Sequence, residues 1–233
     1  MNKINRPAPH LDKYALEMIV VLAIITVHDF LLSNVLSLPS ALRHSQLTQL
    51  RSLDSFASSL EFLVPSIVFT AMLVLWLTRR NAWERRLGIG YLVWVTLRLV
   101  LKVALIVYII TSRPQNGVGV LLKDTIVLWV VNLVLFGAWY WIIDGGGPRA
   151  RRDGASRRFD FAFPQRSLSM PGWTDWQPGF WDYVFLGFSG STQFGLGDTN
   201  VLSLRAKFLM MLQITLSLAI LVFMASFAIS LMR

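Results

Sequence analysis

The sequence predicts an all-α fold: an integral membrane helical bundle of about five transmembrane helices, with a short re-entrant half-helix before the last one. Three observations predict it. Several apolar runs exceed about 18 residues, the length that spans a bilayer core. Only 15% of the 233 residues are charged and mean hydropathy is +0.55, whereas a soluble domain carries roughly 25% charge. Near the C-terminus, the apolar segment Phe180 to Phe188 is too short to span and runs into a glycine-bearing turn. An apolar stretch of that length fits a helix that enters the bilayer only part way.

The elements follow in order. The first span covers about Tyr14 to Leu36, with Glu17 near its start and His28-Asp29 past its middle. A polar connection, Pro39 to Ser59, leads to a second span over about Leu60 to Thr78. Pro65 lies in its first turns, where a missing amide does least harm. It ends in a basic turn, Arg79 to Arg86, that carries Trp83. The third span, about Leu87 to Thr111, holds Arg98 and Lys102; a spacing of four puts both on one helix face. Ser112 to Gly117 is a turn. The fourth span, about Val118 to Ile143, has Lys123 and Asp124 at its start, Asn132 near its centre, and Trp139-Tyr140-Trp141 as an interfacial belt at its end.

Asp144-Gly145-Gly146-Gly147-Pro148 terminates that helix. The long connection that follows, to about Phe180, is basic through Arg149, Arg151, Arg152, Arg157, Arg158 and Arg166. Its second half is rich in aromatic residues and proline and is expected to lie on the membrane interface. Trp173, Trp176, Phe180, Trp181 and Tyr183 read as an anchor there rather than a ligand cage. The last span covers about Val201 to Met232, with Arg205 and Lys207 near its start. The chain thus divides into a four-helix region (1–143), a connection (144–179), and a hairpin plus final helix (180–233).

Composition narrows function. The chain has no cysteine, which excludes disulfides, thiolate metal sites and cysteine nucleophiles. The net charge of +9 resides mostly in connections between apolar runs, which suits anionic headgroups, and no nucleic-acid motif accompanies it. His28 and Asp29 are adjacent and point about 100° apart on a helix, so they make no metal site. No catalytic set can be assembled, and neither an enzyme nor a bound cofactor is expected. The first apolar run is too long for a signal-peptide core and reads as a retained helix.

The stretch most able to carry function is Ser191-Thr192-Gln193-Phe194-Gly195-Leu196-Gly197-Asp198-Thr199. Glycines alternating with a large residue can hold the backbone in mirror-related conformations, so that successive carbonyls point one way. Aligned carbonyls are what a pore uses to replace a cation's water shell. A simple glycine turn between two apolar segments is the other reading. Gly195, Gly197 and Asp198, between a half-length apolar segment and a long apolar helix, resemble the pore module of tetrameric potassium channels. Leu196 stands where tyrosine is usual and Phe194 where valine or isoleucine is usual. Gln193 replaces the filter threonine, with Thr192 before it. The resemblance covers about a fifth of the chain, Tyr183 to Leu231. It implies an ion pathway lined by Thr192 to Asp198, potassium or another monovalent cation as permeant ion, and a homo-oligomer, a tetramer if it is a channel. Asp160-Phe161-Ala162-Phe163-Pro164, Trp181 to Phe185, Ser191-Thr192 and Asp198-Thr199 are also similar to a bacterial family of polytopic membrane proteins of unknown function. That likeness implies a multi-pass protein of the bacterial inner membrane.

Arg98 falls near the centre of the third span, where a charge needs an interior partner. Asp29, Glu17, Asn132 and Asp124 are the candidates, and Asp29, Arg98, Lys102 and Asn132 form the expected intramembrane network. It either pairs helices structurally or relays charge. Orientation gives a second constraint. Three Lys or Arg at the N-terminus, four in the second-to-third connection, six in the long connection and Arg205/Lys207 make 15 on one side, against five on the other. The positive-inside rule places the first group in the cytoplasm and the C-terminus outside, the reverse of potassium channels.

Overall fold

The computed structural model describes residues 63–74, 81–112, 118–152, 154, 158–167, 172–173, 176–192 and 199–231, together with Val20, Ala23 and Thr26. It is mostly helical. The helices are α1 (Leu63–Val74), α2 (Asn81–Ser112), α3 (Val118–Ile143), α4 (Pro148–Arg152), α5 (Pro164–Ser167), α6 (Phe180–Thr192) and α7 (Leu204–Leu231). Two short strands, β1 (Phe161–Ala162) and β2 (Asn200–Val201), pair antiparallel with Phe161 opposite Val201.

Among the described residues three helices are long and apolar enough to cross a membrane, within α2, α3 and α7, which suggests a membrane protein. Their outward faces are apolar: Leu97 and Leu101 on α2, and Phe208, Leu218, Val222 and Ile229 on α7, are all more than half exposed. A water-soluble bundle would cover such stripes. α3 is the central element. Its apolar window is 61% buried, against 33% for α2 and 28% for α7. It packs most extensively on α7 and α6, and less on α2, so it belongs physically with the C-terminal hairpin as much as with the first helices. The α2–α3 seam carries one polar tie, Trp139 Nε1 donating to Thr96 Oγ1 at 2.9 Å. Thr26 and Tyr91 hydroxyls, 2.9 Å apart, tie the first apolar run to α2.

Helix ends follow local chemistry. α2 begins at Asn81, several residues before the apolar run, because Trp83-Glu84-Arg85-Arg86 are adequate helix formers in a polar setting. α3 stops at Ile143 and passes into a 3₁₀ turn, Asp144–Gly146. Gly145 has φ +57°, a conformation that favours glycine. A side chain there would also meet the Phe159 ring at 2.9 Å and Arg151 at 3.0 Å. At the start of α6 the Asp182 carboxylate accepts the Gly179 amide at 2.7 Å, the return half of a capping box. α6 continues past the Phe188 expected from hydropathy to Thr192, whose hydroxyl donates to Phe188 O at 3.0 Å. Ser203 caps α7 by accepting the Ala206 amide at 3.2 Å.

Candidate functional site

The candidate site is α6 and the two long helices that hold it. α6 has 13 residues where α3 has 26 and α7 has 28. At 1.5 Å per residue that is about 20 Å against about 40 Å. α6 runs antiparallel to α3 and parallel to α7. Its first turn lies beside the end of α3, with Tyr183 against Asp144. Its last turn, at Ser191, lies beside Asn132 and Ser217, each near the middle of its own helix. By Asn200 the chain is back beside β1. Ser191 is thus level with the middles of α3 and α7, and Asn200 is at the end where α3 stops.

Glycine permits this seat. A side-chain carbon on Gly137 of α3 would lie 2.9 Å from Val184 Cγ2 and 3.0 Å from Val184 Cα. One on Gly187 of α6 would lie 3.1 Å from Leu133 O. The two backbones approach closely at this crossing, as small residues allow between membrane helices.

Below the crossing, five buried polar side chains join the three helices. Tyr140 of α3 donates its hydroxyl to Gln213 Oε1 of α7. Gln213 Nε2 donates to Gly187 O at 2.8 Å and to Ser191 Oγ at 2.9 Å, both on α6. Ser217 donates to Ser191 at 3.0 Å, and Asn132 Nδ2 donates to Ser217. Asn132, Tyr140, Ser191, Gln213 and Ser217 are all fully buried. In an apolar surround each such bond matters because its loss leaves a polar group without solvent.

At the rim a second network fixes the long connection. Asp144 Oδ1 accepts the amides of Asp160 (2.7 Å) and Phe161 (3.2 Å), and Oδ2 accepts the Tyr183 hydroxyl at 2.6 Å. Arg151, 5% exposed, donates to Trp141 O and Asp144 O and lies 5.2 Å over the Tyr183 ring. Asp160 accepts from Arg205 Nε at 2.7 Å, from Arg205 Nη2 at 2.6 Å and from the Ser203 hydroxyl. Within the connection Phe161 and Phe163 are buried, edge-on to Tyr140, Tyr183 and Trp176. The physical reason is Asp144, whose carboxylate pulls this segment onto the end of α3. The aromatic anchor divides accordingly: Tyr183 is buried, while Trp173 and Trp181 remain outward.

The residues singled out in sequence fare unequally. Thr192 ends α6, its hydroxyl bonded back into its own helix. Gln193, Phe194, Gly195, Leu196, Gly197 and Asp198 lie outside the described residues, as do Asp29 and Glu17. Arg98 and Lys102 are half-buried on α2. Asn132, expected beside Arg98, gives its amide to Ser217 instead, so it joins the α6 socket. Sequence reasoning passed over Gln213, Asp144 and the Asp160–Arg205 pair. Gln213 carried a signal: an amide inside an apolar run with a serine four residues on. Comparison with protein families, with curated proteins and with solved structures finds no match.

Proposed function

We propose that this chain is a pore-forming integral membrane protein of about five spans, multi-pass in a bacterial inner membrane. In this reading α6 is a re-entrant half-helix. Thr192, Gln193, Phe194, Gly195, Leu196, Gly197 and Asp198 form a carbonyl-lined constriction, completed by identical hairpins around one axis. The permeant species is potassium or another monovalent cation. One observation carries the reading: α6 ends at the middle of α3 and α7, locked there through Ser191, while Asn200 is back at the rim. Irregular backbone at that depth is tolerated where it is buried in protein or lines a water-filled path, and Gly195, Gly197 and Asp198 fall in that stretch. The test is cation flux into liposomes holding the purified protein. Wild-type protein should conduct and Gly195→Ala/Gly197→Ala protein should not; equal flux from both removes the filter assignment.

A second reading keeps the hairpin without conduction, as a packing or partner-binding element. The charge bias favours it. Fifteen Lys and Arg on the side where the hairpin opens place that side in the cytoplasm by the positive-inside rule. Residue Gln193, with a longer side chain and two amide donors where a potassium filter has threonine, points the same way.

A further inference from the structure

At the rim where α2 begins and α3 ends, three carboxylates are held by hydrogen bonds within the protein. Asp144 is fully buried and accepts two amides and a tyrosine hydroxyl. Asp160 is 1% exposed and held by Arg205. Asp182 is half-buried and accepts the Gly179 amide. Of the basic residues of the same rim Arg151 is buried, whereas Arg85, Arg86, Arg158 and Lys207 are all exposed. They share one end of the molecule. Arg85 Nε lies 3.9 Å from where a side-chain carbon on Gly147 would sit. Lys207 is in the first turn of α7, whose Arg205 reaches Ile143 O at 3.1 Å. Exposed indoles stand among them: Trp83 (57%), Trp181 (72%) and Trp173 (42%), with Arg86 stacked 5.3 Å over the Trp83 ring.

From this arrangement we infer that the rim is a binding surface for anionic phospholipid headgroups, with Arg85, Arg86 and Lys207 as phosphate contacts. Among the described side chains of this rim, Asp144, Asp160 and Asp182 are each taken up by the protein's own donors, and the outward charge there is positive. Arg85 and Lys207 stand in the first turn of the apolar spans Arg85–Ala104 and Leu204–Ile229, and tryptophan is enriched where such spans meet the headgroups. This placement selects a lipid surface over a nucleic acid, whose phosphates would need cations away from the apolar band. Basic residues at a membrane surface each favour anionic lipid, and the attraction weakens with salt. The inference stands on the rim alone and holds whether or not the hairpin conducts.

The test is quenching of tryptophan fluorescence by brominated phosphatidylglycerol against brominated phosphatidylcholine in vesicles holding the full chain. Wild-type protein should prefer phosphatidylglycerol by about tenfold, and the preference should fall at high salt. Arg85→Gln/Arg86→Gln/Lys207→Gln protein should lose most of it. Lys123→Gln, a change at an exposed lysine on the opposite end of α3, should keep it. Equal binding of the two lipids by wild type, or an unchanged preference in the triple variant, overturns the inference.

Discussion

The Tyr183 hydroxyl donates to Asp144 Oδ2 at 2.6 Å, joining the first turn of the half-length helix α6 to the last residue before the glycine turn that ends α3. Both groups are buried, and the same carboxylate also holds the amides of Asp160 and Phe161. Tyr183→Phe removes one bond to a charged acceptor and should cost roughly 1.5–3 kcal/mol. Asp144→Ala leaves two amides and one hydroxyl without their acceptor and should cost more, about 1–3 kcal/mol for each group orphaned. Thermal unfolding in detergent should rank wild type above Tyr183→Phe and Tyr183→Phe above Asp144→Ala. Identical melting of all three would show that the rim network is not what holds α6.

Much of the scaffold was legible because hydropathy reports burial in a membrane directly. The run Val118–Ile143 is α3 to the residue, since polar residues with a proline precede it in the sequence and three glycines follow it. The third span starts within two residues of the expected Leu87, while the helix itself begins earlier, at Asn81, because hydropathy is blind to helix in charged sequence. The end of α6 was misjudged because Ser189 to Thr192 look polar, yet Ser191 is fully buried against Gln213 and Ser217. Asp144 read only as part of a helix stop. Its role depends on the Asp160 and Phe161 amides and on Tyr183, 16 to 39 residues on, and no local pattern encodes that meeting. The same holds for Asn132: its depth was legible, but the helix it faces was not.

Three glycines allow a test of the α3–α6 crossing with an internal control. Gly137→Ala places a methyl group 3.0 Å from the Val184 backbone, so the helices must separate. A cost of about 1–3 kcal/mol is expected from such overpacking. Gly187→Ala, against Leu133 O at 3.1 Å, should behave alike. Gly90→Ala on α2 has nothing within 4 Å, and should be neutral or gain up to about 1 kcal/mol from helix propensity. Melting temperatures of the three variants check this directly. A Gly137→Ala protein as stable as Gly90→Ala would mean the close approach does not exist.

Gln213, like Ser217, touches α3 and α6 together from α7. Gln213→Leu keeps the volume but strands the Tyr140 hydroxyl, at about 1–3 kcal/mol when buried without a partner, and removes the added bonds to Gly187 O and Ser191 Oγ. Pairing it with Tyr140→Phe should recover part of the loss, because the stranded hydroxyl is then gone. A double-mutant cycle on melting should therefore show coupling of roughly 0.5–3 kcal/mol. Strict additivity would mean that the Tyr140–Gln213 bond contributes nothing.

The course of the chain through the membrane can be read with two cysteines, since the protein has none of its own. Gly172 lies in the long connection before α6, and Arg233 follows α7. If α6 enters half way and the chain returns to the rim by Asn200, α7 makes the single crossing between the two positions. Gly172→Cys and Arg233→Cys should then react with an impermeant maleimide from opposite sides of the membrane. Were α6 to cross fully, both would react from the same side, and the half-depth hairpin would be lost. The side itself carries further information. The 15-to-5 division of Lys and Arg predicts a cytoplasmic residue 172 and an external C-terminus, which aligns with the non-conducting reading. An external residue 172 with a cytoplasmic C-terminus would set the hairpin as potassium channels set theirs. That result would make the basic rim an outward-facing surface, and the positive-inside rule would have to yield to the packing of α3, α6 and α7.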